Sequence, residues 1–108
     1  MINIFKRKTN ENSNYKFRDP ENSACIICDH VLNKERPVLY VTYDLEDGGW
    51  QFMCGQEDHD ESSGKVISLK EVTEIDNSIN DLYEMPSGIG AERKSVQEKW
   101  IPFKLNEE

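Results

Sequence analysis

A chain of 108 residues holds one domain, and folding at this length buries little more than half of the surface exposed by the unfolded chain. With 36% hydrophobic and 31% charged residues it reads as a globular chain with a modest core, too apolar for a disordered segment and without an apolar run of the roughly 20 residues that span a bilayer. The net charge of -8 is divided unevenly: residues 1–18 carry Lys6, Arg7, Lys8, Lys16 and Arg18 against Glu11, and the remainder is strongly acidic. Such a body repels nucleic acid and attracts a basic protein.

Residues 1–20 are polar and Asn-rich and read as a mobile lead-in closed by Pro20, ahead of a single α+β domain over 21–108. Basic residues follow rather than precede the short apolar start "MINIF", and the three cysteines are too few and odd in number for a disulfide framework. Both features predict a cytoplasmic protein, with no membrane association. "SACIICDHVL" predicts a first strand, "NKERP" a turn, and "VLYVTYD" a second strand rich in β-branched and aromatic residues. Asp47-Gly48 suits a tight hairpin turn into a third strand, "WQFMCG", which places Trp50, Phe52 and Cys54 on one face. An acidic loop, "QEDHDESSG", precedes a short strand, "KVIS". Ser68 and Glu71 then form a capping box for a helix that repeats Leu69, Val72 and Ile75. A second short helix begins near Asn77 or Ser78 with Ile79, Leu82 and Tyr83 inward, and a Pro86/Gly88 loop ends it. "AERKSV" and "KWIPFKL" return to the sheet with Trp100 and Phe103 as anchors. The expected architecture is a central antiparallel meander with short helices on one face.

Three chemistries are readable. Cys25, Cys28, Cys54 and His59 match the ligand types of a Cys3His zinc site, with His30 as a substitute, because C-x-x-C offers two thiolates to one ion. Strand alternation opposes this, since residues 25 and 28 of a regular strand point to opposite faces, and buried structural thiols are the competing reading. In that reading only Cys28 turns toward Cys54. The loop from Asp58 fails as a calcium site, because Ser63 and Leu69 stand where Gly and Glu are required. No nucleophile elbow, phosphate loop or zinc-protease motif is present, and a thiol enzyme has no motif behind it, so the chain is read as non-enzymatic. The remaining feature is a surface. Asp44, Glu46, Asp47, Glu57, Asp58, Asp60 and Glu61 flank the third strand, with no basic residue from 37 to 64, and would steer a basic protein partner. Trp50 sits among them as either a core pin or the rim of a binding face.

The order of short motifs also carries a resemblance. "PVLYVTYDLEDGGWQFMCGQE" followed by "VISLKEVTEIDNSINDLYEMPSGIGAER" and a late Trp100 resembles a family of small bacterial proteins that includes immunity protein thirty-three of polymorphic toxin systems. The matching positions are Asp47, Gly49, Trp50, Phe52, Gly55, Glu57, Ser68, Leu69, Asp76, Ser78, Ile79, Leu82, Pro86, Gly88 and Ala91, within residues 15–103. The resemblance implies a cytoplasmic protein that binds a cognate toxin and neutralises it. It implies no fixed metal-ligand set.

Overall fold

The computed structural model describes residues 15–46, 48–55 and 64–105. Its elements in chain order are β1 (Ala24–Cys28), α1 (Asp29–Leu32), β2 (Tyr40–Tyr43), β3 (Trp50–Met53), β4 (Gly64–Ser68), α2 (Leu69–Ile75), a 3-10 helix (Asn77–Leu82), β5 (Ile89–Glu92) and β6 (Ile101–Lys104). They form one six-stranded sheet in the order β4-β1-β3-β2-β5-β6, an α+β fold as the sequence predicts.

The β2–β3 hairpin forms where the turn residues place it. Gly48 adopts φ +66°, its amide donates to Asp44 O at 3.1 Å, and the Asp44 amide donates to Gly49 O at 2.8 Å. The pairing runs from Tyr43 opposite Trp50 to Tyr40 opposite Met53. β1 departs from a meander. The strand stops at Cys28, and Asp29–Leu32 make a single helical turn, capped when the Glu35 and Arg36 amides donate to His30 O at 2.8 and 3.2 Å. Lys34 at φ 63° then redirects the chain. This connection skips one strand position, so β3 enters between β1 and β2, parallel to β1 and antiparallel to β2. β4 closes the other side of β1 with Ile26 opposite Val66.

Strand alternation divides the sheet into a closed and an open face. Cys25 and Ile27, Trp50 and Phe52, Val41 and Ala91 are buried together with Val31, Val38, Leu69, Val72, Ile79 and Leu82 from the helices and loops. Their burial supplies roughly 1.5–3 kcal/mol for each large side chain. α2 starts on the expected capping box: the Glu71 amide donates to Ser68 Oγ at 3.1 Å and the Ser68 amide returns to Glu71 Oε1 at 2.9 Å. The following helix is 3-10 rather than α, with Ile79 and Leu82 buried but Tyr83 39% exposed.

Residues 15–20 of the lead-in lie against the body. Phe17 is buried edge-on to Trp50, with ring centroids 5.0 Å apart, and the Lys16 amide donates to the buried Asn80 Oδ1 at 3.0 Å. A buried polar clamp ties the far side together. Arg93 donates through Nε and Nη2 to Val38 O at 3.1 and 2.9 Å, and through Nη2 to Ser78 Oγ at 2.9 Å. Asp76 Oδ2 lies 3.3 Å from the same nitrogen. The guanidinium stacks 4.1 Å over the ring of Trp100. Burial pulls the Arg93 pKa down, and the charges of Asp76 and Asp81 oppose that shift.

Candidate functional site

The chemically richest cluster sits where β1 ends and β3 ends. Cys28 is the last residue of β1, His30 lies in the helical turn that follows, and Cys54 follows the last residue of β3. One ligand atom from each of the three lies within 4.8 Å of the other two, close enough to hold a metal ion. Cys54 Sγ is 4.0 Å from His30 Nδ1. Both cysteines are 1% exposed, and the His30 side chain is 21% exposed.

The local chain path explains the convergence. Breaking β1 after Cys28 releases the next residues from alternation, so the one-turn helix brings His30 back over the strand end. Arg36 joins from the adjacent loop: its Nη1 is 3.4 Å from His30 Nδ1 and 3.5 Å from Cys54 Sγ. Asp29 Oδ1 is 3.6 Å from the same ring nitrogen, and it is buried with no hydrogen-bond partner among the described residues. Burial raises the Cys28 pKa. The Val31 and Cys54 amides, hydrogen-bonded to its sulfur, work against that rise, and the neighbouring Cys54 thiol adds to it.

Cys25 takes no part in this cluster. Its thiol donates to Ile67 O at 3.5 Å, and burial, with Glu71 and Asp19 nearby, pushes its pKa up to about 12. His59 lies outside the described residues, as do Asp47, Glu57, Asp58, Asp60 and Glu61. Of the acidic surface, Asp44 and Glu46 are described, at the tip of the β2–β3 hairpin, with the Glu46 amide donating to Asp44 Oδ1 at 2.8 Å. Trp50 is 3% exposed and stacks between Tyr43, at 4.0 Å, and Phe52, at 5.9 Å, so the structure places it in the core.

Sequence reasoning passed over Asp29, Arg36 and Arg93. For Asp29 and Arg36 the only available signal was their proximity to the Cys28/His30 pair. Arg93, in "AERKSV", gave none.

The open face is the second feature. Ala24, Ile26, Val66, Gln51, Tyr40, Thr42, Phe103 and Ile101 alternate onto it, with Val66 69% and Ile101 61% exposed. A shallow cavity of about 310 Å³ crosses it beside Ala24, Ile26, Gln51 and Val66. Among the described residues no helix is long and apolar enough to cross a membrane.

These features define a small one-sheet α+β domain whose helices cover one face and whose other face presents mostly apolar and uncharged polar side chains, with Glu92 among them. Residues 25–104 match the Immunity protein Imm33 domain, and the chain belongs to that family. Its fold class therefore comes with a general role, toxin-neutralising immunity with a toxin protein as partner, in a family that is generally non-catalytic. No curated protein and no solved structure matches the chain.

Proposed function

We propose that this chain neutralises one cognate toxin in the cytoplasm by binding it, without chemistry of its own. The observation that carries the reading is the family match, which spans nearly all of the folded body. The charge distribution supports a basic toxin domain as the partner: the body is acidic, and Asp44 and Glu46 stand at a hairpin tip whose flanking sequence adds Asp47, Glu57, Asp58, Asp60 and Glu61. Carboxylates so placed speed encounter, and burial of apolar side chains then holds the complex. Trp50 contributes by fixing β3 from within the core.

The test is co-expression with the toxin encoded beside its gene. Cells are expected to survive with this chain and to die without it. The Glu46→Lys variant, which leaves the Asp44 turn bond in place, is expected to bind with a slower association rate and a weaker salt dependence at unchanged melting temperature. Absence of rescue together with absence of binding would refute the proposal.

A second reading, a zinc-stabilised binding module, is favoured by the proximity of Cys28, His30 and Cys54. It is compatible with the first, since a structural ion and a binding surface can coexist in one domain.

A further inference from the structure

We propose that Cys28, His30 and Cys54 bind a single zinc ion through two thiolate sulfurs and one imidazole nitrogen, so that the ion ties the end of β1 and its helical turn to the end of β3. The inference rests on the zinc-stabilised reading and gives it a ligand set, with His30 in and Cys25 out.

The geometry is close to what zinc requires. Tetrahedral zinc with Zn–S near 2.3 Å and Zn–N near 2.0–2.1 Å sets neighbouring ligand atoms about 3.5–3.8 Å apart. Cys54 Sγ and His30 Nδ1 are already 4.0 Å apart, and all three ligand atoms fall within a 4.8 Å group.

Hydrogen-bond donors face both sulfurs. The Val31 and Cys54 amides hydrogen-bond to the Cys28 sulfur and offset part of the burial cost of a thiolate there. Arg36 Nη1, 3.5 Å from Cys54 Sγ, donates to the second sulfur and keeps that bond when the ion takes His30 Nδ1 from it. Asp29 Oδ1, buried and without a hydrogen-bond partner among the described residues, brings a negative oxygen to 3.6 Å from the imidazole nitrogen. A cation in the cluster would give that oxygen a further favourable neighbour.

The chemistry selects the ion. Two thiolates exclude magnesium and calcium, which take oxygen ligands, while two thiolates with an imidazole suit zinc. Binding transfers one proton from each of the two thiols to solvent, so the two thiolate charges balance the ion and the affinity rises with pH. Cys25 stands apart, with its thiol bonded to Ile67 O.

The experiment is metal analysis of the untagged full chain, paired with cobalt substitution. Wild-type protein is expected to hold about one zinc per chain, and its cobalt form to show thiolate-to-metal charge transfer and the intense visible bands of a tetrahedral centre. Cys54→Ser and His30→Ala are expected to lose at least about tenfold in zinc affinity and to alter the cobalt spectrum, whereas Cys25→Ser is expected to retain both. His30 is partly exposed, so its variant keeps the test open if Cys54→Ser fails to fold. Zinc bound to wild type and retained in both ligand variants would overturn this ligand set and leave the zinc-stabilised reading standing. A wild-type chain that takes up neither zinc nor cobalt would overturn both, and toxin binding by that chain would still be measurable separately.

Discussion

Replacing Asp76 by Ala tests how the helical layer is anchored to the sheet. Asp76 Oδ1 accepts from the Ser78 amide at 3.1 Å and from Ser78 Oγ at 2.5 Å. Its Oδ2 accepts from the Val38 amide at 3.3 Å and faces Arg93 Nη2 at 3.3 Å. Truncation removes the start of the 3-10 helix, leaves the Val38 amide without this acceptor, and strips the Arg93 guanidinium, whose side chain is 2% exposed, of its nearest counter-charge. Breaking a buried pair from one side costs about 3–5 kcal/mol. Arg93 retains Val38 O and Ser78 Oγ, so the lower end applies and the expected loss is about 3 kcal/mol. That is a large share of the roughly 5–15 kcal/mol typical of a domain. Urea denaturation followed by Trp fluorescence is expected to show a lower midpoint with an unchanged slope. The paired variant Asp76→Leu/Arg93→Met, which removes both charges, is expected to fall short of the summed single losses by about 1 kcal/mol or more. A single-variant loss below about 1 kcal/mol, or strict additivity in the pair, would refute the clamp.

Other expectations are simpler. The hydrogen bonds from the Ser68 amide and side chain hold the Glu71 pKa below its ordinary value of 4.5. A depressed acid stabilises the fold above its unfolded pKa, so this contribution is present at neutral pH and fades as pH falls from about 4.5 through the folded value. Glu71→Gln is expected to flatten that part of the acid-stability curve, and a curve with the wild-type slope would argue against it. The Cys25 pKa is raised from 9.0 to about 12, chiefly by burial. The sign is opposite: stability is complete below pH 9 and declines as pH rises toward 12, and at pH 8 the thiol is expected to react with a disulfide reagent only as fast as the protein opens. Reaction at the rate of a free thiol would contradict its placement. At Gly90 an added Cβ would lie 2.5 Å from the Phe103 ring and 2.9 Å from Val41 O. Because one of the clashing atoms is backbone, Gly90→Ala is expected to cost about 1–3 kcal/mol in thermal or urea melts, and a neutral result would contradict this close approach.

The contrast between what was and was not legible follows the range of the interactions. The capping box of Ser68 and Glu71, the Gly48 turn and the alternation of Trp50 and Phe52 are local, and residue order alone conveys them. The insertion of β3 between β1 and β2 is not local, because it depends on the one-turn helix at Asp29–Leu32 and on Arg93 gripping the carbonyl of Val38, 55 positions away. The same holds at the cluster. The proximity of Cys28 to Cys54 was expected, yet strict alternation sets Cys28 on the face of Ala24 and Ile26 and Cys54 on that of Trp50 and Phe52, and the two meet because both strands end there. His30 entered only as a substitute, because its approach requires the strand to end where an apolar, β-branched run gives no signal to stop.

The one-sided sheet has a consequence for how such a protein tolerates change. Along each strand, neighbouring residues belong to different tasks: Ile27 is sealed inside while Ile26 is at the surface, and Val41 is sealed beside Thr42. A substitution at Ile26, Thr42, Gln51 or Val66 alters the open face and leaves the buried set of side chains in place. Exposed surface and core are thus written on alternate letters of the same strands, and one set can be rewritten while the other is left intact.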